Sequence, residues 1–114
     1  MATPLALVEH QLAAYNARDL ERFLAAFSDD VEVTRLPATA PAIVGKAALG
    51  AFYAQNRFNR PDLHAEIVNR MVMGNKVVDH ERINGLGPDP IEMIVVFEIE
   101  SELIRRMWSL SAES

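Results

Sequence analysis

The order in which two hydrophobic patterns follow one another limits this chain most. Up to residue 58, apolar residues recur mainly at helical spacing, as Leu5, Val8 and Leu12 do. From residue 63 onward they follow strand patterns that are separated by short turns. Helices followed by a meander of strands predict an α+β fold, in which an antiparallel sheet curls over the helices.

The predicted elements fill most of the chain. Thr3 followed by Pro4 marks the start of the first helix, and Asp19 can cap the second. Helices are expected over residues 5–16, 20–27 and 46–58, and strands over 31–36, 63–73, 76–84, 91–99 and 103–110. Gly74 and Asn75 suit a hairpin turn. We expect a single domain over residues 1–114.

Composition argues against several classes of function. The chain has no cysteine, which excludes disulfides, thiolate catalysis and cysteine metal sites. Its net charge of -5 argues against binding to nucleic acid or to an anionic membrane. We see no signal peptide and no apolar run near the ~20 residues that span a bilayer. A cytoplasmic protein is therefore expected.

No cofactor is expected either. His10, His64 and His80 are widely separated, and their spacing is not that of a metal site. The glycines form no phosphate-binding motif. The sequence thus predicts neither a metal nor an organic cofactor.

The stretch from residue 77 to 84 is a predicted strand with charge on both faces. One face carries Val77, Asp79, Glu81 and Ile83, and the other carries Val78, His80 and Arg82. Whichever face turns inward, an ionisable group becomes buried. An unpaired buried charge costs several kcal/mol, so such a group must be paired, lose its charge or line a wet pocket. This strand therefore predicts a polar pocket.

The strand over residues 91–99 predicts a partner. One of its faces is wholly apolar, and the other is apolar at its centre, with Ile94 and Val96 between Glu92 and Glu98. A strand that is apolar on both sides is covered on both sides, and the helices cover only one. We therefore expect a homodimer through the outer face of the sheet, where His80 also falls.

The phrases AYNARDLERFLAAFSDDVEV, IVGKAALGAFY, VVDHERINGL and LIRRMW resemble the nuclear transport factor 2-like superfamily, in particular its SnoaL-like and ketosteroid-isomerase-like groups. The resemblance implies a cone-shaped (cystatin-like) roll, with a curved antiparallel sheet around three N-terminal helices and one pocket. Members of the superfamily include isomerases, hydrolases, cyclases, dehydratases and non-catalytic binders, so the fold does not define the reaction.

Aligned with the ketosteroid isomerases, the chain lacks both key carboxylates. The position of the base falls at Arg35, and that of the oxyanion-binding aspartate falls at Val95. The tyrosine falls near Gln11, with Tyr15 one turn later. The resemblance therefore argues against a true ketosteroid isomerase.

The same alignment directs a different set of charges into the cone. We expect Asp79 and Glu81 to be catalytic and Tyr15, Arg35, Met93, Arg105 and Met107 to contact substrate. The set resembles, by analogy, the Asp-Arg-Asp arrangement with which limonene-epoxide hydrolases activate water. Alternatively, the carboxylates form structural ion pairs with Arg35 or Arg105, and Tyr15 only closes the core.

Three functions follow from these expectations. The first is binding of a small apolar organic molecule in the cone, with possible acid/base isomerisation, dehydration or hydrolysis. The second is non-catalytic binding in the same pocket. The third is a protein-interaction module whose cone is filled by side chains. A cavity of roughly 300–1,000 Å³ with carboxylates at its wall would favour the first two.

Overall fold

Three helices and six strands make up the computed structural model, which describes residues 3–112. They are α1 (Pro4–Ala17), α2 (Leu20–Leu24), β1 (Phe27–Arg35), β2 (Ile43–Val44), α3 (Lys46–Asn56), β3 (His64–Met73), β4 (Lys76–Asn84), β5 (Ile91–Glu100) and β6 (Leu103–Ser111). The strands form one curved sheet in the order β2-β1-β6-β5-β4-β3. All neighbours are antiparallel except β1 and β6, which are parallel. The predicted α+β fold is confirmed.

The helices begin where the sequence predicts. The Thr3 side-chain oxygen accepts a hydrogen bond from the Ala6 amide at 3.0 Å, and proline follows it in the first turn. The helix α1 ends at Arg18, which has a left-handed φ of 54°. Asp19 then caps α2 by accepting a hydrogen bond from the Arg22 amide at 3.2 Å.

The predicted end of α2 and start of β1 were wrong, and the strand β2 was missed. The helix α2 stops at Leu24 rather than at residue 27, because Phe27 already pairs with Ile104 as the first residue of β1. The sequence also gave no sign of β2, a two-residue strand in which Ile43 pairs with Val33. Both the end of α2 and the presence of β2 depend on pairing with residues elsewhere in the sequence.

Bulges interrupt the regular alternation of three strands. The pairing of β1 with β6 shifts between Phe27 and Glu32, and that of β5 with β6 shifts between Glu98 and Ile99. A third shift lies between Ile67 and Asn69 in β3. An extra residue in a strand turns the side chains that follow it to the other face. The bulges therefore determine which side chains enter the cone.

An aromatic cluster joins the three helices to β1. The Phe23 ring is fully buried, and its centroid lies 4.6 Å from that of Tyr53, 4.9 Å from Phe27 and 5.2 Å from Phe58. The Tyr15 ring lies edge-on to Phe58 at 5.6 Å. Each such pair adds about 0.5–1.5 kcal/mol to the effect of burial. The cluster fixes α1 and α3 relative to each other.

A side-chain amide attaches the end of α1 to the sheet. The Asn16 Nδ2 donates to the Ala65 carbonyl at 3.1 Å, and the Asn16 Oδ1 accepts from the Ala65 amide at 2.8 Å. The Arg18 guanidinium adds a hydrogen bond to the Leu63 carbonyl at 3.1 Å. These bonds hold the inner side of α1 over β3 and β4.

Candidate functional site

A cavity of about 60 Å³ lies between the inner face of the sheet and the helices α1 and α3. Most of its lining is apolar. The polar lining residues are Gln11, Tyr15, Arg35, Tyr53, Arg57, Glu81 and Ser109. One water molecule needs roughly 10–15 Å³, and pockets for drug-sized ligands measure roughly 300–1,000 Å³. The cavity is therefore smaller than the volume expected for a ligand pocket, and it has room for a few waters or part of one small molecule.

Glu81 is the carboxylic acid in the cavity wall. It lies in the middle of β4, between Ile67 of β3 and Met93 of β5, and its residue surface is only 8% exposed. Burial, and after it the nearby Asp79 carboxylate, raise the pKa of the Glu81 carboxyl, Arg70 opposes them, and the net result is a pKa of about 8. At neutral pH the group is therefore mostly protonated and can donate a hydrogen bond.

Asp79 has a different environment, although it shares the inner face of β4. Its carboxylate is 1% exposed and accepts two hydrogen bonds from Arg70, at 2.6 and 2.9 Å. The bulge before Asn69 places Arg70 directly opposite Asp79 in the neighbouring strand. Asp79 does not line the cavity. Its expected ion pair exists, but the partner is Arg70 rather than Arg35 or Arg105.

Two tyrosines contribute hydroxyl groups from the helical side. Tyr15 of α1 is 6% exposed, and its buried hydroxyl lies near the Arg57 guanidinium, although the two do not form a hydrogen bond of good geometry. Burial raises the pKa of Tyr15, and burial raises that of Tyr53 in α3 to about 12. Both groups therefore stay protonated.

Two arginines stack on one ring in the lining. The guanidinium carbon of Arg35 lies 4.8 Å from the centroid of Phe52, and that of Arg57 lies 5.2 Å from it. Arg35 ends β1 and is exposed, whereas Arg57 follows α3 and is half-buried. The exposed Arg35 places this end of the cavity at the surface. Its mouth is therefore cationic.

The structure brings together five of the seven residues that the sequence suggested for a site. Tyr15, Arg35, Glu81, Met93 and Met107 all line the cavity. Asp79 and Arg105 do not. The positions that the resemblance aligned with ketosteroid-isomerase residues, Gln11, Arg35 and Val95, also lie in the wall. The wall thus has neither of the two carboxylates that such an isomerase needs.

The expectation that Arg105 shares the inner face of Met107 was wrong. The bulge in β6 interrupts the alternation, so Arg105 leaves that face. Its guanidinium donates to the Asp30 carbonyl at 3.0 Å and forms an ion pair with the Asp30 carboxylate at 3.2 Å. Arg105 therefore stabilises the bulge in β1.

Sequence reasoning missed several residues of the site. Neither Tyr53 nor Arg57 was expected to line a site, although Arg57 follows Tyr53 by one helical turn. Arg70 was missed because regular alternation places it on the face opposite to Ala65 and Ile67. Helical spacing was the available signal for Arg57, but nothing local reveals the bulge in β3.

The outer face of the sheet is apolar at its centre. Val96 lies between Val78 and Trp108 on the neighbouring strands. His80 lies on this face, as expected, with its Nε2 2.7 Å from a carboxylate oxygen of Glu92. Two shallow grooves of about 220 and 290 Å³ run over this surface. They are larger than the inner cavity but carry few charged groups.

No helix within residues 3–112 has the length and apolar character needed to cross a membrane. In the same part of the chain, no three histidine, aspartate or glutamate side chains are grouped as metal binding would require.

The curved sheet, the three helices and the enclosed cavity define a nuclear transport factor 2-like protein. Residues 8–107 match the SnoaL-like domain, and the chain therefore belongs to the SnoaL-like family. No curated protein matches the sequence.

Solved structures share this fold at low sequence identity. An uncharacterised cystatin-fold protein from Novosphingobium aromaticivorans is 22% identical over 96% of this chain and 98% of its own, with a TM-score of 0.84. A SnoaL-like protein of unknown function from Burkholderia thailandensis is 20% identical over 96% and 93%, with a TM-score of 0.80. A computationally designed 17-OHP binder is 16% identical over 95% and 91%, with a TM-score of 0.79. These likenesses concern the fold alone.

Proposed function

We propose that this protein binds a small, largely apolar organic molecule in the cone and transfers a proton on it, with Glu81 as the acid/base group. The observation that carries the proposal is a carboxyl group buried in the wall of a cavity, beside two tyrosine hydroxyls, with a pKa of about 8. General acid/base catalysis is most efficient when the pKa lies near the working pH. Isomerisation, dehydration and hydrolysis all need such a group.

The neighbouring groups suggest how a proton transfer would proceed. The ionised Glu81 carboxylate accepts a proton from a carbon next to a carbonyl group. The Tyr15 and Tyr53 hydroxyls donate hydrogen bonds to the oxygen on which the negative charge develops. The protonated Glu81 then returns the proton to the substrate. Asp79 acts as a positioning residue, because its charge, held in place by Arg70, opposes ionisation of Glu81.

Exchange of carbon-bound hydrogen tests this proposal. Cyclohexanone in deuterium oxide serves as the probe, because it has one small ring and one carbonyl group, and proton NMR follows the loss of its α-hydrogens. We expect the protein to accelerate exchange at least tenfold over buffer, with a rate that rises through about pH 8 as Glu81 ionises. Glu81→Gln should return the rate to that of buffer. Glu21→Gln, an exposed change in α2, should leave it unaltered.

A second candidate is binding without turnover. It is favoured by the mostly protonated state of Glu81 at neutral pH, which leaves little base, and by the designed 17-OHP binder that shares the fold. If cyclohexanone binds in the cone but exchanges at the buffer rate at every pH, the catalytic proposal fails and this candidate replaces it. If cyclohexanone does not bind in the cone at all, both candidates fail and a protein-interaction module is favoured, because its cavity would bind nothing.

We also propose a homodimer formed through the outer face of the sheet. The row Val78, Val96 and Trp108 provides an apolar centre across three strands. Charges of both signs flank it, as in the pair between Arg106 and Glu98 at 2.8 Å. Interfaces with an apolar core and a polar rim have this character. A cytoplasmic location is part of the proposal and agrees with the acidic, cysteine-free composition.

A further inference from the structure

The two arginines of the cavity differ from the other arginines beside the sheet. Arg70, Arg82, Arg105 and Arg106 each form an ion pair with a carboxylate. Within residues 3–112, Arg35 and Arg57 form none, as is also true of Arg18, Arg22 and Arg60, but of these five only Arg35 and Arg57 line the cavity, where both lie against the face of Phe52. Arginine is suited to bidentate recognition of carboxylates. Two guanidiniums that line the same cavity and have no carboxylate partner indicate where an anion would bind.

The geometry points to a small organic carboxylate as the ligand of this cavity, with its carboxylate held by Arg35 and Arg57 and its apolar body directed inward. This inference rests on the proposed function and specifies the chemical class of its substrate. The lining residues Leu12, Ile43 and Phe52 provide apolar contact for the body of the ligand.

Hydrogen-bond donors dominate the polar part of the lining. The buried Tyr15 hydroxyl lies near the Arg57 guanidinium, which can only donate, so the phenolic O–H is available to an anionic acceptor. Glu81 is mostly protonated at neutral pH, so it does not neutralise the guanidiniums. The cavity is therefore cationic although the whole chain has a net charge of -5. An anion would supply the charge that the site lacks.

The volume restricts the ligand further. A cavity of about 60 Å³ is smaller than the ~150 Å³ that encloses a benzene ring, so a fused ring system is excluded and a single ring must extend into the open mouth beside Arg35. Benzoate is thus a suitable probe, and benzamide is its neutral counterpart with nearly the same shape. The comparison isolates the contribution of the negative charge.

Methionine methyl groups can report where each probe binds. Met93 and Met107 line the cavity, whereas Met71 and Met73 are exposed. We expect benzoate to shift the ¹³C-methyl NMR signals of the first pair and not of the second. Its dissociation constant should be at least tenfold lower than that of benzamide, and the difference should shrink at high salt.

Charge-removing variants test the role of the arginines. Arg35→Gln and Arg57→Gln should each weaken benzoate binding about five- to tenfold and change benzamide binding less than twofold. Arg35→Lys should fall between the wild type and Arg35→Gln, because it keeps the charge but loses the bidentate geometry. Arg22→Gln, an exposed change in α2, is the matched control and should have no effect.

Benzoate affinity should also decrease as pH rises through about 8, because ionised Glu81 then repels the anion. Two charged groups act on Glu81 directly, namely Asp79 on the same strand and Arg70 on the neighbouring one. Tyr15 and Tyr53 face it from the helices, and the guanidiniums at the mouth, Arg35 and Arg57, act in turn on these tyrosines. In Glu81→Gln the pH dependence should disappear.

Several results would overturn the inference. Equal affinity for the two probes, unchanged benzoate binding in both glutamine variants, or shifts confined to Met71 and Met73 would each do so. If benzamide binds as well as benzoate while cyclohexanone exchange persists, only the inference fails and the proposed function stands. If neither probe moves Met93 or Met107 and no exchange occurs, both fail.

Discussion

Two carboxyl groups on the same face of β4 have different environments in the fold. Asp79 accepts two hydrogen bonds from Arg70, and its charge is compensated. Within residues 3–112, Glu81 forms no ion pair, and burial makes its charged form unfavourable. Groups with perturbed pKa values cluster at functional sites. The contrast therefore distinguishes a structural ion pair from a candidate acid/base group.

Glu81 should make the stability of the protein depend on pH. Its pKa is raised from 4.5 to about 8 in the folded state, so between these values the native state binds more protons than the unfolded chain. The free energy of unfolding therefore falls as pH rises through this window. Relative to Glu81→Gln, which cannot ionise, we expect the wild type to lose on the order of 4 kcal/mol between pH 4.5 and 8.

Urea unfolding at pH 5, 7 and 9 measures this difference. The Glu21→Gln control should follow the wild type at each pH. Parallel curves for the wild type and Glu81→Gln would show that the carboxyl is not perturbed in the folded state, and would remove the support that its pKa gives to the proposed function.

At the scale of single residues, the sequence predicted which side chains lie on inner faces better than it predicted which side chains they pair with. It identified Glu81, Tyr15 and Arg35 because alternation and helical spacing place them on inner faces. It offered an ion pair for Asp79 but named the wrong partners, since Arg70 reaches Asp79 only through a bulge in β3. Cross-strand register depends on long-range packing, which no short window of sequence contains.

At the scale of the elements, two glycines at positive φ differ in how closely a neighbouring segment approaches them. Gly85 ends β4 with a φ of 94°, and a Cβ there would lie 2.5 Å from the backbone carbon and oxygen of Asp62. Gly74, in the β3–β4 turn, has a φ of 59° but open space around it. The two positions separate the effect of a clash from that of backbone conformation.

We expect Gly85→Ala to reduce the free energy of unfolding by about 3 kcal/mol or more, because the strained φ and the backbone clash add together. Gly74→Ala should cost only about 1 kcal/mol, the usual effect of a side chain in a left-handed turn. Thermal and urea unfolding of both variants measure the difference. Equal losses would mean that the segments around Asp62 can move apart at little cost.

The starts of the three helices and the bounds of the last four strands followed from the sequence nearly to the residue, whereas the end of α2 did not. The Thr3 and Asp19 caps and the Gly74 turn are local signals, and the structure confirms all three. The beginning of β1 at Phe27 and the short β2 could not be predicted in this way. Both exist only because of pairing partners elsewhere in the chain.

At the scale of the whole molecule, the proposed dimer can be tested at the centre of the outer face. Val96→Arg places a charge between Val78 and Trp108, where a dimer interface would bury it. We expect light scattering to give twice the 12.7 kDa chain mass for the wild type and the mass of one chain for the variant. Val44→Arg, on the exposed edge strand β2, is the matched control and should remain dimeric.

A dimer that survives Val96→Arg would place the interface elsewhere. A monomeric wild type would leave the outer apolar row exposed to solvent, and the homodimer proposal would be abandoned. Neither result affects the cavity, which lies on the opposite face of the sheet.

The parallel pairing of β1 with β6 has a consequence for how the molecule forms. Val33 pairs with Met107, so one side of the cavity joins an early and a late part of the chain. Contacts so distant in sequence form slowly, because a long loop must close before they contribute. The cavity can therefore assemble only after β6 has been synthesised, and a ligand bound there would stabilise the closed sheet by mass action. Ligand occupancy would then report on completed folding, and nascent chains would be unable to compete for the ligand.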